Sequence, residues 1–533
     1  MKILGISGRY RDAAAALAVD GRVIAAASED CFTRVPGIGY TQTGGFPAGA
    51  VDACLRSAGL APGDVDELSI VEAEGHGAMD DAAPARQALG AATVRPIDAV
   101  RADAIQAAAS AESASAVLVC GAEPGSMASF IRDGSEWRPG APIAGGDRLL
   151  AAARLMARAL GVSALNPYHS IDRLSLGGEP EFEREFAAAM QWDRAAGVMV
   201  DDARVSNLLG EVSGRQPGSL ADAASLNVRL QAARRALAAS FTCGLARVVH
   251  DAARSVSAGA DLDRVAFGGA MFANARLNTE LRRLAGDAVA LAAVPEPAGR
   301  ALGAALAATS GAADRLPGLA LGPSFSDNDI KRTLDNCRLD YVYEPDWARV
   351  FVRISKMLAQ GKVIGWFQGA MGFGPRAMGT RSILCDPSSR YARQNMNEYL
   401  RQVPLDEPLP VVFAPSSAAA CLGRATTPAL VFDAPVGAEW REKLVSALDW
   451  RHDVRVHAVG PAQAKELCEL LDVHFGRTGV PALIETNLSG PGEPVACTPR
   501  DAVRTVYSSA IDALILGRFV LMKDYWLLRN NAD

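Results

Sequence analysis

The segment from Gly361 to Pro387, GKVIGWFQGAMGFGPRAMGTRSILCDP, constrains this chain more than any other. Lys362–Trp366 reads as a short buried strand. It runs into a glycine-dense stretch (Gly369, Gly372, Gly374, Gly379) that carries two arginines five residues apart, Arg376 and Arg381. Glycines let a backbone come close to a ligand, and an arginine fork grips phosphate or carboxylate with paired charge-assisted hydrogen bonds. The stretch is therefore suited to an anionic, phosphate-bearing ligand. From the residues alone, a surface turn with two solvated arginines is the alternative.

A chain of 533 residues is too long for one core, so two or more domains are expected. Its net charge of −6 argues against a general nucleic-acid binder, which needs a basic surface for phosphate contacts. The nine cysteines show no CxxC pairing and no close Cys/His cluster, which points to reduced thiols in a cytoplasmic protein. The opening MKILGISGRY lacks the pattern of a signal peptide, and no apolar run of spanning length follows, so no membrane association is expected.

The run GWFQGxMxFGPRAxGxRSILxDP resembles a signature of the NodU/CmcH-type carbamoyltransferases. That family moves a carbamoyl group from carbamoyl phosphate, through carbamoyl-adenylate, onto an acceptor hydroxyl. Within the stretch, Ala370, Gly372 and Thr380 stand where the family usually has Arg, Glu and Asn. The resemblance covers nearly the whole chain. It implies an α/β fold, with an N-terminal actin-like ATPase (ASKHA) type domain over 1–315 and a C-terminal YrdC-like domain over 324–533. The Gly/Pro-interrupted connector Gly311–Pro323 marks the boundary.

At the N-terminus, Lys2–Ser7, Ala14–Val19 and Arg22–Ser28 read as strands, with Asp20-Gly21 as a tight hairpin turn. Helical periodicity follows over Ala48–Ser57, then a strand over Val65–Val71. This opening is similar to the family's N-terminal motif, and Asp12, Glu29 and Arg34 match its pattern. Arg11 stands where the family has a histidine. Further on, Val265–Gly268 reads as a strand that breaks at Gly268-Gly269 into a helix carrying Asn274, and it resembles the family's nucleotide-binding loop. Free N–H groups at such a helix start suit an adenylate or phosphate.

The family's metal motif is where this chain departs most. There a run like HHxxHAASAF, with two histidines four apart on one helical face, and a strand ending in aspartate bind a metal beside the transfer site. The matching residues here are Asp103 to Ala111, with Ala107 at a histidine position, and Gly121 at the aspartate position. A further family aspartate aligns with Pro297. The resemblance therefore implies a transfer site with no protein-bound metal.

Other expected helices are Leu149–Leu160, a long and interrupted Leu220–Ser255, Ser326–Asp335, Trp347–Gln360, Tyr391–Leu400 and Ala462–Arg477. Expected strands include Arg338–Tyr343, Trp450–Val459 and Gly479–Ile484. Trp450–Val459 matches a family strand that retains Arg455 and has His457 at a glutamine position. Glu485-Thr486-Asn487-Leu488-Ser489 resembles the NTSFN loop, with Thr486 kept and the outer asparagines changed to Glu485 and Ser489.

By resemblance, carbamoyl phosphate and ATP, with Mg as its counter-ion, would react in the C-terminal domain to give carbamoyl-adenylate and pyrophosphate. Arg376, Arg381 and Arg455 are expected on phosphate oxygens, with Lys362, while Thr486 and Asn487 hold the carbamoyl or phosphate end. For Arg455, a cross-strand ion pair is an equal alternative. Gly268, Gly269 and Asn274 would hold the adenylate, and Asp12 or Glu29 would serve as base for transfer to a small-molecule hydroxyl or amine. Two other readings stand: a non-catalytic subunit paired with an intact carbamoyltransferase, and an enzyme that activates a different acid. The resemblance suggests a homodimer.

Overall fold

The computed structural model describes residues 1–72, 78–90, 93–111, 114–134, 136–176, 178–213, 220–257, 264–286, 289–307, 316, 318–405, 407, 409–413, 415–423 and 431–523. Of the sequence readings, part of the Gly311–Pro323 connector, residues 311–315 and 317, lies outside them. Contacts divide the chain into two compact units. Met1–Ile70, Glu74–Pro96 and Leu316–Asp533 form unit 1, and Val71–Ala73 and Ile97–Arg315 form unit 2.

The first sheet is built from β1 (Lys2–Ser7), β2 (Ala14–Val19), β3 (Arg22–Ser28), β4 (Glu67–Val71) and β5 (Thr93–Ile97), in the order β3-β2-β1-β4-β5. The three expected N-terminal strands have the expected bounds. Asp20 (φ 49°) and Gly21 (φ 85°) are both left-handed, as a two-residue hairpin turn requires. β2 is antiparallel to β1 and β3, while β4 is parallel to β1. Leu4, Ile6, Leu17 and Leu68 bury one face against Val51 and Leu55 of the helix Ala48–Ala58.

In unit 2, β6 (Ala116–Cys120), β7 (Met127–Asp133) and β8 (Glu136–Pro139) form an antiparallel meander. A two-stranded ribbon follows, β9 (Met190–Asp193) with β10 (Gly197–Val200). Then β11 (Val265–Gly268) and β12 (Ala290–Leu291) extend the meander in parallel, giving the order β12-β11-β6-β7-β8. Numbered within its own sheet this is again 3-2-1-4-5, with the second strand antiparallel to the first. The repeated pattern makes the N-terminal part an actin-like α/β fold. The helix Leu220–Val256 runs through 37 residues without the expected interruption. Its Phe241, Leu245 and Val249 pack with Leu118 and Phe267.

Among the described residues, the C-terminal sheet has nine strands in the order β13-β21-β20-β14-β15-β19-β16-β18-β17. These are β13 (Val342–Tyr343), β14 (Ile364–Phe367), β15 (Arg381–Cys385), β16 (Val411–Phe413), β17 (Val431–Pro435), β18 (Asp453–Ala458), β19 (Ala482–Asn487), β20 (Ala513–Leu516) and β21 (Phe519–Met522). Trp366, Leu384, Leu483 and Ile515 meet Ile354 and Leu358 of the helix Trp347–Ala359, and Leu467 and Leu471 of the helix Pro461–Thr478. The strand expected over Arg338–Tyr343 shortens to two residues, and Arg338, left-handed at φ 53°, still belongs to the turn that ends the helix Asp327–Asn336. The helix expected over Tyr391–Leu400 is α-helical only at Ala392–Gln394 and continues as a π-helix, Asn395–Arg401. Among the described residues, no helix is long and apolar enough to cross a membrane.

Within unit 1, Arg34 ties the first sheet to the C-terminal one. Its two terminal nitrogens donate to the Val495 and Pro494 carbonyls, each at 2.7 Å. Cys31 packs beside them with Met371, Val495 and Cys497.

Candidate functional site

β14 and β15 pair antiparallel with Phe367 opposite Arg381, and the glycine-rich segment is the loop that joins them. Arg381 is fully buried, and its side chain organises this loop. One terminal nitrogen donates to the carbonyls of Gln368 (2.6 Å) and Thr380 (3.0 Å), and the other to those of Pro323 (3.0 Å) and Gly369 (3.1 Å). The guanidinium lies 3.6 Å over the Phe367 ring. Burial pulls its pKa down to about 9, since carbonyl dipoles only partly replace water. A ligand phosphate would have to displace these carbonyls, so the expected role of Arg381 on a phosphate oxygen is corrected to one of holding the loop.

Arg376 is half-buried in the same loop. The Asn487 side chain, at the end of β19, brackets it. The Ala377 amide donates to Asn487 Oδ1 at 2.8 Å, and Asn487 Nδ2 donates to the Pro375 carbonyl at 2.8 Å. The Thr380 hydroxyl accepts from the Gly372 amide at 3.0 Å and donates to the Ala377 carbonyl at 2.9 Å. Gly379 is left-handed at φ 78°, and a Cβ there would come within 2.7 Å of the Ala464 side chain, so only glycine fits. These bonds fix the peptide units on both sides of Arg376 before any ligand arrives.

The other expected phosphate ligands are not gathered here. Lys362 pairs with Asp512 at 3.0 Å and lies two residues before β14, roughly 17 Å along the chain from the loop at the strand's far end. Arg455 is opposite Asp433 in register across β17 and β18, and donates to its two oxygens at 2.9 and 3.2 Å. The cross-strand ion pair is thus the arrangement present. Thr486 alternates with Asn487 along β19 and so points to the other face of the sheet.

In the first sheet, Asp12 is left-handed at φ 54°, and its carboxylate accepts from Arg11 Nε at 2.8 Å. Glu29 is buried, and its two oxygens accept from the Gly49 (3.2 Å) and Ala50 (2.7 Å) amides at the start of the helix Ala48–Ala58. Burial pushes its carboxyl up, and those two amides oppose the shift. As a remote helix cap it has little freedom to serve as a base.

In unit 2, a 3-10 segment, Ala270–Ala273, separates the Gly268-Gly269 turn from the helix Ala275–Ala285, a correction to the expected direct strand-to-helix turn. Asn274 caps that helix, with Oδ1 accepting from the Leu277 amide at 2.8 Å, while its Nδ2 donates to the Tyr168 carbonyl at 3.1 Å. Packing alone demands the glycines. A Cβ at Gly268 would come within 2.9 Å of the Asp103 carbonyl, and one at Gly269 within 2.6 Å of the Cys120 carbonyl.

Residues 355–523, which include the loop, β15 and β19, match the family model for the carbamoyltransferase C-terminus. The chain is 31% identical over 238 residues to an uncharacterized protein of Synechocystis (39% of this chain, 38% of that one). It is 28% identical over 302 residues to the nodulation protein NolNO of Sinorhizobium fredii (54% and 44%). It is 27% identical over 307 residues to the nodulation protein NolO of Bradyrhizobium diazoefficiens (54% and 55%). Residues 355–523 thus carry a carbamoyltransferase C-terminal domain, and the chain is similar to these nodulation proteins. It spans between 38% and 55% of the length of these relatives. Among solved structures, the activator of 2-hydroxyisocaproyl-CoA dehydratase from Clostridium difficile is similar over 58% of this chain and 94% of that one, at 15% identity and a TM-score of 0.35.

The family's metal can be tested against the residues at the matched positions. Ala107 and Pro297 offer no donor. Gly121 cannot gain one cheaply, because a Cβ there would lie 2.6 Å from the Ser126 side chain. Asp103 is buried, and its Oδ2 already accepts from Arg300 Nε at 3.1 Å. Arg300 also donates to both Glu123 oxygens, at 3.0 and 2.5 Å. Burial pushes the Asp103 carboxyl up to about 6 despite the facing guanidinium. Among the described residues, no group of three or more His, Cys, Asp or Glu comes together to hold a metal. The donor set does not fit the family's metal, and a guanidinium is the cation found beside Asp103 and Glu123.

Sequence reasoning missed two buried histidine arrangements. His457 bonds Glu485 beneath the loop. His474 joins Ser355 (3.1 Å) to Asp386 (3.2 Å). The second group has the order of a catalytic triad, but Ser355 and His474 are fully buried, so no substrate reaches it. His457 and Glu485 were each visible as departures from the family pattern. Their pairing was not, because β16 lies between their strands.

Proposed function

We propose that this chain is an ATP-dependent carbamoyltransferase-like enzyme whose C-terminal, YrdC-like part activates carbamoyl phosphate. The observation that carries the reading is the prebuilt loop around Arg376, which lies within the stretch that matches the carbamoyltransferase C-terminus. Carbamoyl phosphate loses its phosphate to water, a carbamate oxygen attacks the α-phosphorus of ATP, and pyrophosphate leaves. Arg376 neutralises charge that accumulates between two anionic reactants, and the loop fixes where that charge is met. Mg enters as the counter-ion of ATP. Arg381, Asn487 and Thr380 hold the loop rather than the substrate.

Transfer of the carbamoyl group to a small-molecule hydroxyl or amine completes the proposed reaction, in natural-product biosynthesis. Gly268 and Gly269 are the proposed adenylate contacts in unit 2, and Asp12 is a better candidate base than the helix-bound Glu29. One observation favours the alternative of a non-catalytic subunit: the Arg300–Asp103–Glu123 cluster replaces the donors that would hold the family's metal. Pyrophosphate release that depends on both ATP and carbamoyl phosphate tests the activation step. Transfer is tested by incubating the protein with labelled carbamoyl phosphate and a panel of small hydroxyl and amine acceptors. Turnover by the protein alone excludes the subunit reading.

A further inference from the structure

Glu485 and His457 are both buried and reach each other across β16. Glu485 Oε2 bonds His457 Nδ1. The other oxygen, Oε1, accepts from the Gly379 amide and the Ser382 hydroxyl, each at 2.6 Å. His457 Nε2 lies 2.7 Å from Met378 Sδ, and Gln463 Nε2 donates to the Met378 carbonyl at 2.9 Å. The pair therefore grips two consecutive residues of the loop, Met378 and Gly379.

Both are left-handed, Met378 at φ 51° and Gly379 at φ 78°. A methionine in that region is strained, and such strain persists only where the surroundings over-determine it. Met378 is two residues beyond Arg376. The direction in which Arg376 leaves the loop thus depends on a turn that the backbone alone would not choose. Asn487 holds the near side of the turn, and the Glu485–His457 pair holds the far side. The family pattern has an asparagine at position 485 and a glutamine at position 457. Here both have become ionisable, and the two side chains are bonded to each other.

We infer that Glu485 and His457 act together as positioning residues that set the Met378-Gly379 turn and so aim Arg376 at an anionic ligand. The inference rests on reading the Arg376 loop as an anion site, and it adds to that reading the residues that make the loop competent. Neither residue touches substrate in this account. Removing one member leaves the other buried without its partner, which costs more than replacing both. A pair of neutral amides can restore the hydrogen bond.

The test uses the full-length protein and inorganic pyrophosphate as the probe. Pyrophosphate affinity and hydrogen exchange over residues 372–381 are measured for the wild type, Arg376→Ala, His457→Gln, Glu485→Gln and the double variant His457→Gln/Glu485→Gln. Each single variant of the pair should weaken pyrophosphate binding about tenfold or more and speed exchange at the loop. The double variant should recover most of both. Partial unfolding of Glu485→Gln would not blur the result, because the double variant carries the same substitution and reports rescue. If Arg376→Ala abolishes binding but the single variants bind and exchange like the wild type, the positioning role is wrong and the anion site stands. If Arg376→Ala binds like the wild type, the anion-site reading fails and the inference falls with it.

Discussion

Arg381 and Phe367 are partners across the β14–β15 hairpin, and the guanidinium of one lies 3.6 Å over the ring of the other. With four carbonyls around its terminal nitrogens, Arg381 is the buried post on which the loop is built. Arg381→Met should therefore lower the unfolding free energy by about 3 kcal/mol, because four carbonyls lose their donors. Arg381→Lys should recover little, since an ammonium has three donors and no plane to stack. Urea unfolding of the three proteins checks this. Arg376→Ala, at a half-buried position, should stay within about 1 kcal/mol of the wild type in the same assay.

Glu29 caps the helix Ala48–Ala58 from outside that helix. Glu29→Ala should cost about 1 to 2 kcal/mol of stability, the range for a lost helix cap. Denaturant unfolding midpoints measure it. An unchanged midpoint would free Glu29 to be a base.

Asp103 has a folded pKa raised to about 6 from an unfolded value of 3.8, with Arg300, Glu123 and Asp98 as the charged groups nearest it. The folded protein takes up a proton between those values that the unfolded chain does not. This contribution to stability is fully present below pH 3.8 and is lost as pH rises through about 6. The gap of roughly 2 units corresponds to at most about 3 kcal/mol. Relative to the wild type, Asp103→Asn should therefore gain stability as pH rises from 4 to 7, and paired urea titrations across that range follow the difference.

With Ala107, Gly121 and Pro297 at the matched positions, the protein should purify with far less than one transition metal per chain, even from supplemented medium. Elemental analysis by mass spectrometry measures the ratio. Adding Ala107→His alone should not raise it, because the Arg300 guanidinium already occupies the Asp103 carboxylate.

Features set by neighbouring residues were legible in the sequence. Asp20-Gly21 announced its hairpin, and the glycine run announced a loop after a buried strand. The two arginines of that loop were not distinguishable, because composition and spacing say nothing about which one is caged by carbonyls. Arg455 had two equal readings until β17 and β18 set Asp433 opposite it. The Glu485–His457 pair depends on a strand order that puts β16 between its members. In each case the deciding partner is distant in sequence or out of sequence order.

The most direct test of the central claim is the initial rate of pyrophosphate release from ATP and carbamoyl phosphate, compared between the wild type and Arg376→Ala. The account predicts release that requires both substrates and falls about a hundredfold or more in the variant, at nearly unchanged stability. No release from the wild type with both substrates present, or equal release from the variant, would contradict it.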